Sequence, residues 1–307
     1  MKKILLTGAT GFLGSYLLEA LLKAGYRVVI LKRSTSDIWR IEHLLNNLKV
    51  YNTDTDSLHQ VFVENSIDVI IHMATLYRKF DNGQEVKQMI DSNISFPVEL
   101  LELGIRNKIK GFINTGTFFE YDCSKLPVNE SAQIRPFNLY AKTKTAFENI
   151  LESYSDQLMI NTFRLFSPYG EKDNFKLIPM IIQKALSDKK VELSDGLQKM
   201  DFIYASDIID AYMKALSKMF DQRQAGGYQV YNLGSGEGVS VREVVSIIEQ
   251  QLGKPINKVW GQPSKVDIPV AFADIKKAEA ELGWVPKHSI HDGIAKTIEY
   301  YQERKKL

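Results

Sequence analysis

The fold is decided by the stretch Lys3-Ile4-Leu5-Leu6-Thr7-Gly8-Ala9-Thr10-Gly11-Phe12-Leu13-Gly14. Its apolar first half is typical of a buried strand, and the amphipathic residues 12–24 predict a helix that ends at Gly25. The three glycines between them predict a tight turn whose backbone N–H groups, together with the helix N-terminus, can bind a pyrophosphate. A glycine turn between a strand and a helix therefore predicts a dinucleotide-binding unit.

The rest of the first half continues this alternation of strands and helices. Short apolar runs predict strands at residues 27–31, 50–51, 68–72, 111–115 and 159–164, and amphipathic runs predict helices at residues 88–103 and 140–154. Strands that alternate with helices indicate an α/β fold with a parallel sheet covered on both faces.

The second half is less regular and predicts a smaller α/β lobe. Helical patterns lie at residues 176–187, 241–252, 275–282 and 290–304, and short strands are predicted at 190–193 and 230–233. The sequence shows no Pro/Gly-rich linker between the two halves. We therefore expect the substrate to bind in a cleft between the lobes.

Composition excludes several classes of protein. The chain has 307 residues, of which 44% are hydrophobic and 25% charged, which is typical of a globular enzyme-sized protein. The net charge of +2 comes with no basic block, so we expect no nucleic-acid partner. The single cysteine, Cys123, rules out an intramolecular disulfide and favours a cytoplasmic location. No membrane span and no metal site are predicted.

Two polar residues stand one helical turn apart in the predicted helix 140–154. Tyr140 and Lys144 are at positions i and i+4, which lie on one face of a helix, so the ammonium group can stand close to the phenol. Because a nearby positive charge favours the phenolate, we expect the pKa of Tyr140 to lie below its usual value of about 10. Such a phenol can transfer a proton to or from a sugar oxygen or a carbonyl near neutral pH.

The end of the second predicted strand indicates which dinucleotide binds. An Asp or Glu about 20 residues past the glycines would bind the ribose hydroxyls of NAD, but here the segment is Lys32-Arg33-Ser34. A guanidinium group there can bind a 2′-phosphate, so NADP(H) is favoured and NAD(H) stays possible. Alternatively, these cations are solvated surface charges. Asp54, next to Thr55, can accept from the adenine amino group or cap a helix.

Sequence motifs typical of one family recur along nearly the whole chain. In the first half they are Gly8, Gly11, Gly14, the strand ending His72-Met73-Ala74-Thr75, Asn93, residues 115–121, Tyr140 and Lys144. In the second half they are Arg164-Leu165-Phe166-Ser167-Pro168-Tyr169-Gly170, residues 198–207, Tyr231-Asn232-Leu233-Gly234 and Leu282-Gly283-Trp284-Val285-Pro286. Together they resemble the extended short-chain dehydrogenase/reductase (NAD-dependent epimerase/dehydratase) family, whose members mostly act on nucleotide-diphosphate sugars.

The resemblance implies a fold and a division of the chain. The fold would be a Rossmann-like, doubly wound parallel sheet with a smaller C-terminal α/β substrate lobe. Residues 1–165 would form the dinucleotide-binding domain, with part of 201–235 returning to it. Residues 166–200 and 236–307 would form the substrate-binding lobe. A homodimer through the helices that carry Asn93 and Tyr140 is also expected.

The resemblance also implies roles for matching residues. Tyr140 would be the acid/base, Lys144 would also bind the nicotinamide ribose, and Thr117 would hydrogen-bond the reacting sugar oxygen. Alternatively, the Thr117 hydroxyl only satisfies backbone groups, and Thr115 is the other candidate for the contact with the sugar oxygen. For Asn93 the alternative is a buried structural asparagine. The further cofactor contacts would come from Gly8, Thr10, Gly11, Phe12, Leu13, Ala74, Thr75, Asn93, Thr115 and Phe166.

Departures from the family pattern narrow the chemistry. Dehydratases of this family carry an Asp-Glu pair directly after the catalytic Thr, where this chain has Phe118-Phe119. Because phenyl rings transfer no protons, 4,6-dehydration is not expected. The rings would contact the methyl group of a 6-deoxy sugar or simply belong to the core. Other substrate contacts would come from Ser167, Leu177, Lys199 and Lys265, the two lysines replacing arginines that usually meet the diphosphate.

These observations favour one function and leave two alternatives. The favoured one resembles the CDP-abequose and CDP-paratose synthase type, namely NADPH-dependent reduction of a nucleotide-diphosphate 4-keto-6-deoxyhexose at C4, with Tyr140 as proton donor. A nucleotide-sugar 4-epimerase with tightly bound NAD would use the same three catalytic residues. A non-catalytic dinucleotide sensor or scaffold is the alternative of another class.

Overall fold

A seven-stranded sheet forms the centre of the first of two units in the structure, a computed structural model. The structure describes residues 2–77, 83–173, 176–221, 226–263 and 268–306. The first unit comprises Met1–Asp122, Gln133–Arg164 and Ile209–Tyr231, and the second comprises Cys123–Ala132, Leu165–Ile208 and Asn232–Leu307.

The strands in chain order are β1 (Lys3–Thr7), β2 (Arg27–Lys32), β3 (Lys49–Asn52), β4 (Val69–His72), β5 (Gly111–Thr117), β6 (Met159–Leu165), β7 (Ser167–Tyr169), β8 (Val191–Glu192), β9 (Lys199–Met200), β10 (Phe202–Tyr204), β11 (Gly227–Leu233), β12 (Val239–Ser240), β13 (Lys258–Val259) and β14 (Val270–Ala271). The α-helices are α1 (Phe12–Lys23), α2 (Leu58–Glu64), α3 (Gly83–Ile90), α4 (Phe96–Arg106), α5 (Leu139–Glu152), α6 (Leu177–Leu186), α7 (Ala205–Asp221), α8 (Val241–Leu252), α9 (Lys276–Leu282) and α10 (Ile290–Lys306).

The order of the main sheet is β11-β6-β5-β4-β1-β2-β3. The pairings of β1 with β2 and β4, of β2 with β3 and of β4 with β5 are all parallel. The central strand β1 is buried on both faces, with Ile4, Leu5 and Leu6 fully inaccessible, which explains its unbroken apolar run. The order reverses at β1, so the carboxyl ends of β1 and β4 flank a crevice of the kind in which doubly wound sheets bind ligands. The predicted Rossmann-like fold class is confirmed.

Several predicted elements differ from the structure. The predicted helix 88–103 is divided by a π-helical turn, Asp91–Ser95, between α3 and α4. The fifth strand extends to Thr117 rather than ending at residue 115. Helices α2 and α7 were not predicted, although α7 buries Ile208, Tyr212 and other apolar residues at helical spacing.

The second unit is built from small sheets and longer helices. Strand β10 pairs with β7, β12-β9-β14 form a three-stranded sheet, and β13 pairs with β8. Its apolar core joins residues of α6, α8 and α10, among them Ile181, Val244, Ile248 and Ile294. Capping explains the start of α8, because the Ser240 hydroxyl accepts a hydrogen bond from Glu243 N and the Glu243 carboxylate accepts one from Ser240 N.

Candidate active site

The glycine turn between β1 and α1 leaves no space for side chains. Gly8 has φ of 73°, and a Cβ atom there would lie 2.6 Å from Ala74 N. A Cβ atom on Gly14 would lie 2.0 Å from Gly8 O. Gly11 N donates to Gly8 O at 2.9 Å, and Gly11 is the N-cap of the 12-residue helix α1. The bare backbone and the helix N-terminus fit the pyrophosphate of a dinucleotide, which Gly8, Thr10, Gly11, Phe12 and Leu13 would hold.

A threonine that the sequence reasoning missed holds the segment beside this turn. Thr7 Oγ1 accepts hydrogen bonds from Met73 N at 3.2 Å and Ala74 N at 3.1 Å, and lies 2.9 Å from His72 Nδ1. Burial lowers the pKa of His72 well below its usual range, so its ring is neutral and shares a hydrogen bond with the Thr7 hydroxyl. This contact places the backbone of Ala74 and Thr75 next to Gly8, as the predicted cofactor trough requires.

A second missed residue, Arg40, reaches the glycine turn from the segment after β2. Its side chain is buried, lies 4.4 Å from the ring centroid of Trp39, and donates from Nη1 to Thr10 O at 3.4 Å. A cation at the pyrophosphate turn suits an anionic ligand. No local sequence pattern could predict this contact, because Arg40 and Thr10 are 30 positions apart.

The carboxyl ends of β2 and β3 bring the predicted adenosine residues together. Ser34 N donates to Asp54 Oδ2 at 2.7 Å, and Asn52 Nδ2 donates to Ser34 Oγ at 2.8 Å. The hydrogen bonds from Ser34, with Arg33 and Lys32 nearby, hold the pKa of Asp54 below its usual range. Asp54 does not cap α2, whose N-cap is Ser57, so the alternative of a helix cap is wrong.

Asn93 supports the cofactor trough from the π-helical turn. Its Oδ1 accepts from Leu76 N at 2.8 Å and Thr75 Oγ1 at 3.2 Å, and its Nδ2 donates to Leu76 O and to Thr143 Oγ1, both at 3.0 Å. These four contacts use the full hydrogen-bonding capacity of the amide. Asn93 therefore fixes the segment after β4, which is the structural alternative raised for this residue.

Tyr140 and Lys144 lie on the buried face of α5. The Asn138 side chain caps the helix by accepting from Ala141 N at 2.9 Å. Tyr140, Lys144 and Glu148 follow at four-residue spacing, and all three are at most 9% exposed. The ring of Tyr77 meets that of Tyr140 edge-on, with centroids 4.9 Å apart.

The expected direction of the Tyr140 pKa is wrong. Burial raises the pKa of Tyr140 above its usual value, the Glu120 carboxyl raises it further, and a hydrogen bond with Thr75 lowers it only partly. Burial also lowers the pKa of Lys144 to about 8 from 10.5, against the opposing effect of Glu120 and Glu148. Desolvation therefore dominates the pair, which keeps the phenol protonated at neutral pH.

The two candidate threonines at the end of β5 differ in their contacts. Thr115 Oγ1 donates to His72 O at 2.9 Å and lies 2.7 Å from the Tyr212 hydroxyl, so it links β5 to β4 and to α7. In the part of the chain that the structure describes, the one hydrogen bond of Thr117 Oγ1 is a long contact, 3.4 Å, that it accepts from Phe119 N at the start of the 3-10 turn Phe118–Glu120. The Thr117 hydroxyl therefore keeps its proton for another acceptor, as the predicted role of Thr117 requires.

Aromatic rings follow Thr117 directly. Phe118 is buried and its ring centroid lies 4.4 Å from that of Phe119. Phe119 stacks on the half-exposed Phe137 with centroids 5.6 Å apart. Phe118 is thus a core residue, whereas Phe119 and Phe137 form a stacked pair that reaches the surface of the first unit.

The remaining predicted residues belong to the second unit. Phe166 is buried and donates from its backbone N to Leu233 O at 3.0 Å, and Ser167 N donates to Asp201 O at 2.9 Å. Leu177 begins α6, and Lys199 is exposed on β9. Lys265 lies outside the described residues. Their contacts with a substrate stay predictions.

The described residues form neither a metal-binding cluster nor a membrane-spanning helix. In that part of the chain, no three His, Cys, Asp or Glu side chains are grouped so that they would hold a metal ion. No described helix combines the length and apolar character that a membrane span needs.

A glycine turn that fits a pyrophosphate and a Tyr-x-x-x-Lys helix in one α/β unit are typical of enzymes that use a nicotinamide dinucleotide. Residues 4–234 match the NAD dependent epimerase/dehydratase family, and the chain belongs to it. The family resemblance drawn from the motifs is thereby confirmed.

Known relatives cover the whole chain. CDP-abequose synthase from Salmonella muenchen is 31% identical over 97% of this chain and 97% of its own length. UDP-glucose 4-epimerase 1 from Oryza sativa subsp. japonica is 28% identical over 95% of this chain and 92% of its own length. A similar solved structure is that of UDP-glucose-4-epimerase from Stenotrophomonas maltophila with bound NAD and formylated UDP-arabinopyranose. Its TM-score is 0.90 at 25% identity, and the match covers 100% of this chain and 99% of that one.

Proposed function

We propose that the protein reduces a nucleotide-diphosphate 4-keto-6-deoxyhexose at C4 with NADPH. The observation that carries the proposal is the set Thr117, Tyr140 and Lys144 in one unit, with phenyl rings rather than carboxylates directly after Thr117. A proton-transfer pair without a second acid/base pair suits carbonyl reduction and does not suit dehydration.

The protonation state of Tyr140 supports the reductive direction. When bound, the reduced nicotinamide supplies the hydride that the sugar C4 gains. The Tyr140 hydroxyl gives its proton to the oxygen on C4, so the ketone becomes a secondary alcohol and the phenol becomes a phenolate. The raised pKa of Tyr140 means that the phenol holds this proton at neutral pH before the reaction. The Lys144 ammonium one turn away would stabilise the phenolate that is left.

Thr117 would act on the same oxygen. Its hydroxyl proton is free to be donated, because its one hydrogen bond with the described residues is as an acceptor from Phe119 N. A hydrogen bond to the oxygen that gains negative charge stabilises the transition state more than the ketone.

The charges at the ends of β2 and β3 favour NADPH over NADH. Lys32 and Arg33 bring two positive charges, and Asp54 brings one negative charge that already accepts from Ser34 N. The net local charge is positive, which suits a 2′-phosphate. Thr55 and the Asp54 carboxylate would face the adenine.

The kind of substrate follows from the relatives and from the aromatic pair. CDP-abequose synthase supports a CDP-linked deoxysugar, and the epimerases support a nucleotide-diphosphate sugar more broadly. The stacked rings of Phe119 and Phe137 offer an apolar surface that suits a C6 methyl group. Lys199 and Lys265 would meet the diphosphate as point charges.

The second candidate is a nucleotide-sugar 4-epimerase with tightly bound NAD. It is favoured by the UDP-glucose 4-epimerase relative and by the NAD in the solved neighbour. An epimerase returns the hydride to the sugar, so it consumes no cofactor, whereas a reductase consumes one NADPH for each product.

One experiment separates the candidates. The purified protein is incubated with CDP-, UDP- and dTDP-4-keto-6-deoxyglucose, with NADPH, NADH or no added cofactor, and products are identified by NMR. The proposal predicts product only with a reduced cofactor and faster turnover with NADPH. Interconversion of UDP-glucose and UDP-galactose without added cofactor would instead establish the epimerase. Light scattering of the same sample tests the proposed homodimer.

A further inference from the structure

Glu120 is a fully buried carboxyl group that the proposed reaction does not use. It ends the 3-10 turn after Thr117 and is 0% exposed. Its Oε1 accepts a hydrogen bond from Thr117 N at 2.7 Å, and its Oε2 accepts one from Thr145 Oγ1 at 3.3 Å. Two side chains therefore hold the turn, because the Thr117 hydroxyl also accepts a hydrogen bond from Phe119 N.

A second carboxyl group and a guanidinium group surround Glu120. Glu148 accepts from Arg164 Nη2 at 2.5 Å and from Arg164 Nε at 3.2 Å, and Glu120 Oε2 lies 3.8 Å from Arg164 Nε. Glu148 and Arg164 are 3% and 6% exposed. Arg164 makes its close, two-point contact with Glu148, and burial lowers the pKa of the second nearby cation, Lys144, to about 8. Glu120 is therefore the less compensated of the two buried carboxyl groups.

The protonation of Glu120 fits this weaker compensation. Burial first, and the negative charge of Glu148 second, raise the pKa of Glu120 well above its usual range. A neutral Glu120 accepts from Thr117 N with its carbonyl oxygen and donates its proton to Glu148. This gives a continuous chain of hydrogen bonds from Thr117 through Glu120 and Glu148 to Arg164.

The glycine before Thr117 leaves the space that this chain needs. A Cβ atom at Gly116 would lie 2.5 Å from Glu148 Oε1 and 3.0 Å from Glu120 Oε1. Gly116 has neither positive φ nor a helix-ending position, so conformational freedom does not explain it. The glycine and the buried acid are thus two independent features of the sequence that serve one arrangement.

We propose that Glu120 is a positioning residue, a neutral acid that connects the backbone of Thr117 to the Glu148–Arg164 ion pair and so fixes the direction of the Thr117 hydroxyl. Glu148 lies on the same face of α5 as Tyr140 and Lys144, so the chain ties the two sides of the catalytic set together. This role of Glu120 rests on the proposed function in one respect, which is that Thr117 contacts the substrate.

Three substitutions of Glu120 distinguish its roles. Glu120→Gln keeps a carbonyl acceptor for Thr117 N and an N–H donor for Glu148, so it reproduces the neutral acid. Glu120→Ala removes both contacts. Glu120→Asp keeps a carboxyl group but shortens the side chain, and it serves where the alanine variant fails to fold. Glu152→Ala, which changes an exposed glutamate at the end of α5, is the control.

The first measurement needs no substrate. In protein labelled with 15N-threonine, the Thr117 amide is assigned by its loss in Thr117→Ser, and its exchange with solvent is followed by NMR. In Glu120→Ala and Glu120→Asp we expect the Thr117 amide hydrogen to exchange with solvent at least about tenfold faster than in the wild type, because a buried hydrogen bond is lost. Glu120→Gln and Glu152→Ala should stay within about threefold of the wild type. Unchanged exchange in folded Glu120→Ala would overturn the proposal.

The second measurement uses the reaction that the wild type performs. Glu120→Ala should lower kcat by about tenfold while KM for the nicotinamide cofactor stays within about twofold, and Glu120→Gln should restore kcat. A glutamine variant as impaired as the alanine variant would overturn the neutral-acid bridge. If the wild type reduces no ketosugar, the proposed function fails, while the amide measurement still decides the role of Glu120.

Discussion

The glycine turn and the Thr117–Tyr140–Lys144 region of the first unit are built in opposite ways. The turn uses backbone alone, and a single methyl group at Gly8 or Gly14 would meet backbone atoms within 2.6 Å. The catalytic region uses buried polar and charged side chains whose hydrogen bonds and charges compensate one another. Added atoms should therefore destabilise the glycine turn. Loss of a functional group or of charge balance should instead impair the Thr117–Tyr140–Lys144 region.

Removing the Tyr140 hydroxyl should have the largest effect on activity. We expect Tyr140→Phe to lower kcat by about a thousandfold, because the proton donor is lost while the ring still packs. Tyr77→Phe is the matched control, since the Tyr77 ring contacts Tyr140 edge-on, and it should change kcat by less than about threefold. Steady-state kinetics check both. Full activity of Tyr140→Phe would contradict the proposed role and revive the non-catalytic alternative.

Adding a methyl group to the glycine turn should cost the most stability. Gly14→Ala places a Cβ atom 2.0 Å from Gly8 O, and we expect a loss of about 3 kcal/mol with loss of cofactor binding. Gly25→Ala is the control, because Gly25 has φ of 80° but nothing within 4 Å of its Cβ position, and it should cost about 1 kcal/mol. Urea unfolding followed by circular dichroism measures both. Equal losses would show that close approach does not matter in the turn.

The cations at the end of β2 should decide cofactor preference. Arg33→Ala should weaken NADPH binding by about tenfold and leave NADH binding nearly unchanged, because only NADPH carries the 2′-phosphate. Arg27→Ala, at the opposite end of the same strand, should change neither affinity. Fluorescence titration with both cofactors gives the dissociation constants. Equal weakening of NADPH and NADH by Arg33→Ala would contradict the assignment.

The smallest expected effect is a titration. Because burial lowers the pKa of Lys144 to about 8, one lysine of the cofactor-free protein should titrate near pH 8, well below the usual 10.5. The folded state binds fewer protons than the unfolded chain between these values, so the free energy of unfolding should increase as pH rises from about 8 to 10.5, because the cost of burying the Lys144 charge is lost. Methyl-13C NMR of reductively methylated lysines should show this midpoint and lose it in Lys144→Met. A midpoint near 10.5 would refute the desolvated lysine.

Local patterns made the glycine turn and the Tyr140–Lys144 face predictable. Both depend on spacings of three or four residues, which sequence displays directly. Contacts between distant segments were not predictable in this way. Thr7 and His72 are 65 positions apart, and Glu120 and Glu148 belong to different elements.

The direction of the Tyr140 pKa shows the same limit. A spacing of four placed the ammonium near the phenol, but it carried no information on how deeply both are buried or on Glu120 nearby. Desolvation depends on the whole fold and here outweighs the neighbouring charge. Likewise, the missing carboxylate at the end of β2 was visible in sequence, whereas the hydrogen bond from Ser34 N to Asp54 was not.

The central claim is that hydride passes from added NADPH to the sugar. The most direct measurement uses NADPH deuterated at both positions of nicotinamide C4, with a nucleotide-diphosphate 4-keto-6-deoxyhexose, and NMR of the product. The account predicts one deuterium at sugar C4 for each NADPH oxidised, and no product without added cofactor. Product that carries no deuterium, or that forms without NADPH, would contradict it.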